Sequence, residues 1–476
     1  MKKHLSRFIG TREFYAMTLM VVVPIIVQNG ITNFVSLLDN LMVGRVGTDP
    51  MSGVAIINQL MFVFNLCVFG GVSGPGIFTA QFYGSDNHQG IRYTIRLKLM
   101  VAAVLTTIGI LLCVFGGESL ISLYLHEGGS SGNMEETLRY GKDYLAVMVW
   151  GLAPFALSQV YASTLRETGE TLLPMKAGIL AVFVNLTLNY ILIFGNFGAP
   201  KLGVVGAAIA TVISRYVEVI VIVAWTHTHP ARNPFVVGLY KTLAVPFPLA
   251  RKILLRGFPL MLNETLWSSG MALLMQCYSI RGLVVVAGMN ISSTVANLFN
   301  VLVISFGSAV SIIIGKLLGA GEMEEARRTN TWLIVFAMTI SICVAAVMAA
   351  LSHVFPLLYN TSDEIRQYAS MFILVAACCM PITCFLNCAY FALRSGGRTV
   401  ITFFFDCGFM YIFSAPVAFV LSRFTTLPIV LLYALVQSLD LIKCVIGFVL
   451  LKKGTWLNNM VEEKNALPIE IEEEPA

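Results

Sequence analysis

Charge is scarce in this sequence. Only 12% of its 476 residues are Asp, Glu, Lys or Arg, against about 25% in a soluble globular protein. That shortage leaves no stretch from which a water-soluble domain could be built. Histidine occurs six times, and none sits inside an apolar run with a Cys or Asp partner at the spacing of a nucleophile–base or metal motif. An enzyme is therefore not expected, and no cofactor is implied. The ten cysteines all fall inside apolar runs, where they serve as small apolar residues and suggest neither a disulfide framework nor a metal cluster. No small-residue cleavage site follows a short apolar core at the N-terminus, so the first run reads as a retained helix and not as a signal peptide.

What the chain has instead is apolar length. Hydrophobic residues make up 57% of it, and the mean hydropathy is +0.80. A bilayer-spanning helix needs about 20 mostly apolar residues. Twelve such runs occur, at residues 14–41, 51–79, 93–115, 138–164, 172–196, 203–226, 251–280, 284–314, 327–353, 365–393, 399–422 and 426–451. Lipid offers backbone amides no partners, so these runs must be helices. With the N-terminus in the cytoplasm, 22 Lys and Arg fall on cytoplasmic segments and 7 on external ones, and Arg215 and Lys443 within spans complete the 31. This asymmetry orients the chain with both termini cytoplasmic. It also accounts for the net charge of +5, so no nucleic-acid partner is implied. The Glu-rich end 461–476 reads as a disordered cytoplasmic tail.

The chain repeats itself. Pro24 and Pro259 lie 235 residues apart, as do Gly84 and Gly319 in the similar loops 79-TAQFYGSDNHQGIR-92 and 314-IGKLLGAGEMEEAR-327. A second pair, 165-LRETGET-171 and 393-LRSGGRT-399, is offset by 228, and the longer external loop 126-HEGGSSGNMEE-136 of the first half absorbs the difference. Six spans per half is an even number, so both halves enter the membrane in the same sense. The expected division is an N-terminal six-helix lobe (1–226), a basic cytoplasmic linker (227–256), a C-terminal six-helix lobe (257–453) and the acidic tail (454–476). A parallel repeat of this kind places its sites near the midplane and suits alternating access.

Several polar residues interrupt the spans. Gln28, Thr32, Ser36 and Asp39 follow spacings of 4, 4 and 3 and share one face of the first helix. An intramembrane charge is costly and usually faces a bundle interior or a water-filled cavity; the alternative leaves Asp39 at the outer helix end, among headgroups. Asn185 and Asn189, four apart, stack their amides on one face, which also suits plain helix–helix hydrogen bonding. Thr211 follows a small-residue stretch whose ordinary role is close packing, and Arg215 and Glu218 are spaced to neutralise each other. In the second half, Glu264 lies several residues inside an apolar helix beside Asn263 and Ser268, where a titrating or cation-binding carboxylate and a pairing with a buried Arg are the two readings. Asp406 is either a second intramembrane acid or a residue of the cytoplasmic helix end near Arg398. Asp440 and Lys443, three apart, read as a structural pair.

Taken together, 38-LDNLMVGRVG-47, 79-TAQFYG-84, 165-LRETGET-171, 185-NLTLNYILIFGNFGAPKLGVVGAAIATVISR-215 and their second-half echoes resemble the multidrug and toxic compound extrusion (MATE) family over nearly the whole chain. The resemblance implies an all-α polytopic membrane protein with twelve transmembrane helices in two parallel six-helix repeats, forming a V-shaped pair of bundles around a cavity. It implies export of small organic, often cationic, compounds in exchange for Na⁺ or H⁺, by a monomer in the plasma membrane surrounded by lipid. The family's cation site maps residue by residue onto Asp39, Asn185, Asn189 and Thr211, with Gln28, Thr32 and Ser36 as a polar stripe lining the cavity. Some members carry a second Asp where this chain has Asn189, so the site here holds one carboxylate. Glu264 resembles a seventh-helix acid of another branch, and with Asp406 it is the candidate for coupling or substrate binding in the second lobe. The same broad superfamily includes lipid-linked precursor flippases. These would be expected to show a strongly cationic cavity for pyrophosphate, whereas the candidate residues here, Arg215 apart, are acidic or neutral.

Overall fold

The computed structural model describes residues 9–122, 134–359 and 361–462. Most of the loop 126–136 and residues 463–476 of the acidic tail lie outside them. The described residues form twelve long helices, which we number α1 to α12: Arg12–Gly44, Thr48–Gly84, His88–Ser122, Met134–Glu167, Leu172–Phe194, Gly203–Thr228, Phe247–Ser279, Leu283–Gly319, Met323–Ala350, Asp363–Ser395, Thr399–Phe424 and Ile429–Lys453. Eleven are long and apolar enough to cross a membrane. The other is α7, which is 33 residues long but carries Arg251, Lys252 and Arg256 at its start and Asn263, Glu264, Ser268 and Ser269 along its length. Its polar content lowers its apolarity, and its length still suffices for a span.

The lipid-facing character is visible on α3. Val104, Ile108, Leu111, Leu112 and Phe115 are all exposed, and their spacing puts them on one helix face. In water such a stripe would be buried; in a bilayer it is the solvated surface.

The repeat is structural, helix for helix. Adding 235 to the bounds of α1 and α2 gives the bounds of α7 and α8. The turns repeat bond for bond. Asn87 N–H donates to Phe82 O at 2.9 Å, and Glu322 N–H to Leu317 O at 3.0 Å. Asp86 and Gly321 both take positive φ, at 57° and 78°. At the other offset, Gly169 N–H donates to Arg166 O at 3.0 Å and Gly397 N–H to Arg394 O at 2.8 Å, with φ of 93° and 73°.

Contacts divide the described chain into two compact units. One comprises the residues up to Ile26, Ala80–Asn87 and everything from Phe247 onward; the other comprises Val27–Thr79 and His88–Pro246. The first has a core of Val303, Phe306, Val310, Ile314, Leu333 and Trp456, among others. It also holds the two related turns against each other. A Cβ on Gly84 would lie 2.0 Å from Lys316 O, and one on Gly319 would lie 1.9 Å from Gln81 O. The two contacts are images of each other at the 235-residue offset, and only glycine permits them. The second unit is built around Val54, Ile57, Met61, Leu152, Ile193 and Ala208. There the buried Arg96 fixes the 229–246 segment, its guanidinium donating to Gly238 O at 3.0 Å, Leu239 O at 2.9 Å and Ala244 O at 3.0 Å.

Gly84→Ala and Gly319→Ala should each destabilise the protein by about 1–3 kcal/mol, the usual cost of overpacking. Gly116 has open space around its Cβ position, so Gly116→Ala should be neutral or mildly stabilising. Thermal midpoints in detergent test the contrast; equal midpoints for all three variants would refute the close turn contact.

Candidate functional site

Four helices build the first polar cluster. Pro24 lies inside α1, and the chain beyond it carries Asp39 toward α5 and α6. Asn189 Nδ2 donates to Asp39 Oδ1 at 2.6 Å and to Asn185 Oδ1 at 3.1 Å, which links α1 and α5. Asn185 Nδ2 lies 3.3 Å from Thr211 Oγ1 on α6, and Thr211 back-bonds to Ala207 O at 3.0 Å. With the Asn185 amide turned over, Asp39 gains donors at the loss of the Asn189 Nδ2 bond to Asn185. The turned amide's nitrogen then donates to Asp39 Oδ1 at 2.9 Å and Oδ2 at 3.2 Å, and its oxygen accepts from Thr211 at 3.3 Å. All four residues expected from the sequence thus meet at one place. The structure adds Tyr144 of α4, a buried phenol beside Thr211 within electrostatic reach of Asp39. Nothing in the local sequence MEETLRYGKDYLAVM separates Tyr144 from the other apolar-face residues of its helix.

The chemistry of this cluster is that of a small hard cation or a proton. It offers one carboxylate, two amide oxygens and two hydroxyls. Asn185 and Asn189 are buried, and Asn189 Oδ1 has no hydrogen-bond partner. An orphaned buried oxygen costs on the order of 1–3 kcal/mol, which an entering cation would offset. Among the described residues no Lys, Arg or His forms an ion pair with Asp39. No group of three His, Cys, Asp or Glu has metal-holding geometry among them either, so a transition-metal centre does not describe these residues.

The polar stripe is only partly connected. Gln28 Oε1 accepts from Arg166 Nη1 at 3.5 Å. Thr32 is exposed and bonds its own helix through Gln28 O at 2.8 Å. The Ser36 side chain lies outside the described residues. Nearby, the fully buried Lys98 pairs with Glu167 at 2.5 Å and donates to Ser163 and Thr164 at 3.1 and 3.2 Å. Arg96 and Lys98, counted above with the cytoplasmic segments, therefore lie buried within α3. Arg215 donates to Gly151 O at 3.1 Å and stacks over Phe155 at 5.0 Å. Glu218 is within electrostatic reach of both Arg166 and Arg215, so it belongs to a wider charge network than the expected i, i+3 pair.

The other unit holds a second polar cluster. Two π-helical stretches, Phe404–Gly408 and Met410–Ser414, interrupt α11. Asp406 sits in the first, and its Oδ1 accepts from Lys443 Nζ at 3.0 Å. Its Oδ2 accepts from Asn263 Nδ2 at 3.1 Å. Asp406 is therefore tied to both α7 and α12. Lys443 takes Asp406 as its ion-pair partner and stays within electrostatic reach of Asp440, the partner the sequence suggested. Glu264, next to Asn263, is within electrostatic reach of Arg394 and Asp406. It forms no ion pair among the described residues, so the pairing with a buried Arg is at most long-range.

Two repeats of six spans running in the same sense, with polar clusters inside the helix bundles, define a polytopic membrane transporter. The family model described as MatE matches twice, at residues 24–191 and 259–420, once per repeat. The chain belongs to that family, the multidrug and toxic compound extrusion transporters. It is 26% identical over 414 residues to a probable multidrug resistance protein NorM of Thermotoga maritima, covering 84% of each chain. It is 27% identical to a probable multidrug resistance protein YoeA of Bacillus subtilis, over 86% of this chain and 87% of that one. Among solved structures, a multidrug resistance MATE family transporter of the MOP superfamily in an outward-facing conformation aligns with a TM-score of 0.80 and 18% identity, over 94% of this chain and 97% of that one. A MATE in the bent conformation aligns at 0.81 and 17% identity, over 95% and 97%. The fold is theirs.

Removing Lys443 while keeping Asp406 strands a carboxylate among apolar helices. Lys443→Met should cost about 3 kcal/mol, read as a lower thermal midpoint, and Asp406→Asn added to it should recover most of the loss. If the double variant is no more stable than Lys443→Met alone, the pair does not hold the second cluster together.

Proposed function

We propose that the protein is a secondary active antiporter that exports small organic, often cationic, compounds from the cell in exchange for Na⁺ or H⁺. The observation that carries this reading is the convergence of Asp39, Asn185, Asn189 and Thr211 on one carboxylate with an unfilled amide oxygen beside it. A structural carboxylate inside a bilayer is expected to be closed by a cation of the protein; Asp39 is held only by amides. Two further features support the reading: membership of a transporter family, and the multidrug resistance function given to the relatives.

The mechanism follows from differential binding. An ion moves a two-state equilibrium only if it binds the two states unequally. With Asp39 ionised and empty, the α1–α5–α6 cluster favours the arrangement that holds the organic compound. Entry of Na⁺ or H⁺ from outside neutralises Asp39, changes its bonds to Asn189 and Asn185, and so shifts α1 against α5. Affinity for the compound falls and it leaves. Glu264 acts as the acid of the second unit, with Asp406 as its electrostatic neighbour. We further propose that one chain is the transporting entity, that it lies in the plasma membrane with both termini cytoplasmic, and that the two six-helix halves are its moving parts.

The test is efflux of a fluorescent organic cation from reconstituted vesicles, with Na⁺ and H⁺ gradients imposed separately. Wild type should respond to one gradient, and Asp39→Asn should lower that response at least a hundredfold with its thermal midpoint preserved. Gradient-driven efflux that survives in Asp39→Asn would remove Asp39 from the coupling role and point to Glu264. A folded wild type inert under both gradients would favour a lipid-linked or narrower substrate.

A further inference from the structure

The chain continues past α12 in an ordered way. Gly454, left-handed at φ 69°, ends the helix, and the residues after it run back over the ends of other helices of the same compact unit. Trp456 is 1% exposed and packs in the core with Leu318, Ala326 and Leu393. Its indole Nε1 donates to Leu451 O at 3.1 Å.

On either side of Trp456 the segment is bonded to four separate places in the sequence. Arg398 Nε donates to Thr455 O at 2.8 Å. Gln81 Nε2 donates to Asn458 O at 3.2 Å, and Gln81 Oε1 accepts from Met460 N–H at 2.7 Å. Asn458 Nδ2 donates to Gly396 O at 3.3 Å, and Asn459 Nδ2 to Gly319 O at 3.2 Å. Lys252 Nζ donates to Met460 O at 2.9 Å. A Cβ on Gly396 would lie 1.9 Å from Trp456 O, so the segment lies directly on that turn.

Gln81 is the pivot. It is fully buried at the end of α2, in the first repeat, and its amide also donates to Ser395 O at 2.9 Å. Its counterpart in the second repeat, 235 residues on, is Lys316, which lies over the Tyr83 ring at 4.5 Å. The repeat therefore supplies one glutamine for this purpose, on one side only. The segment after α6, which is the sequence counterpart of the segment after α12, is held by Arg96 instead.

We infer that residues 454–461 are a strap across the ends of α2, α8 and α10, and that it must leave Gln81 for those ends to part during transport. The inference rests on the alternating-access reading above and on the basic-residue distribution that places these ends on the cytoplasmic side. A tail that merely terminated the chain would not require a buried Trp and a glutamine satisfied on both its donor and acceptor sides. The strap biases the protein toward the state with this side closed, and it yields because its bonds, those at Gln81 between neutral groups and those from Arg398 and Lys252 charge-assisted, are individually modest.

The experiment uses the full chain in lipid vesicles with Gln81→Ala and, separately, Trp456→Ala. Hydrogen exchange is followed in 454–461, 80–87 and 315–321, and efflux is measured on the same preparations. Release of the strap should raise exchange about tenfold in 454–461, the effect of one or two net hydrogen bonds. Exchange in both turns should rise with it, and the efflux rate should change. Faster exchange in 454–461 with both turns unchanged would make the segment a passive cover and overturn the proposal. Unchanged exchange in 454–461 in both variants would also overturn it, since neither Gln81 nor Trp456 would then hold the strap. Exchange needs no substrate or ion, so failure of the export reading would appear separately, as inert wild type with the coupled exchange response intact.

Discussion

The bilayer core contains no water to satisfy a polar atom, and that constraint orders everything else in this protein. It makes every span a helix. It also sorts the buried charges into two kinds. Lys98 with Glu167 and Lys443 with Asp406 are closed pairs, each carboxylate met by an ammonium at 2.5 and 3.0 Å. Asp39 is different. Its nearest partner is a neutral amide at 2.6 Å, and the oxygen of that amide has no partner. A closed pair has finished its electrostatics and serves architecture. An open carboxylate has not, and a mobile cation or proton is what would complete it.

The sequence made some of this legible and hid the rest for identifiable reasons. Helices and their number follow from apolar run length, because lipid permits no alternative; α7 was found by the same rule although its polar residues depress its apolarity. The repeat was visible in glycines and prolines, since turns with positive φ tolerate few substitutes, as at Gly169 and Gly397. The four residues at Asp39 were legible as a set only through the family resemblance. Asn185, Asn189 and Thr211 alone each had an ordinary packing role and Asp39 could sit among headgroups, and helical periodicity reports a shared face but not which helix it meets. Tyr144 was invisible for that reason: a tyrosine in an amphipathic helix announces nothing until α6 is placed beside it. Lys443 was assigned to Asp440 because spacing favours neighbours on one helix, whereas the π-helical stretch of α11 brings Asp406 to it, and no simple sequence pattern marks such a stretch. The partition of contacts, which joins Ala80–Asn87 to the residues from Phe247 onward, reflects the glycine contacts between the two turns and is likewise a tertiary fact.

Duplication fixed the scaffold more firmly than the chemistry. The bounds of α1 and α2 recur in α7 and α8 with no change in length, and the turn hydrogen bonds recur within a few tenths of an ångström. The acids do not recur. At the repeat offsets, Asp39 corresponds to Leu274, Asn185 to Phe413 and Asn189 to Val417, while Asp406 corresponds to Gly178 and Glu264 to Asn29. Each half has kept the helix frame and placed its acids at different positions within it. Two equal coupling sites would follow if the chemistry had been copied with the fold; instead the first half carries Asp39 held by amides, and the second carries Asp406 paired with Lys443 beside Glu264, which forms no ion pair among the described residues.

That asymmetry bears on how such a molecule can run in one direction. Halves that run in the same sense are related about an axis along the membrane normal, so even identical halves would open differently toward the two sides. Residues that break the repeat add to that difference. In the proposed cycle, Asp39 breaks the repeat by answering to the ion on one side. Gln81 and the segment after α12 break it at the helix ends, where Lys316 and the Arg96-bound segment stand in the equivalent places. An ion shifts such an equilibrium only by its differential affinity for the two states, and hydrogen bonds worth about 1–3 kcal/mol each, the larger values belonging to the Lys252 and Arg398 donors, are of the size such a difference can offset.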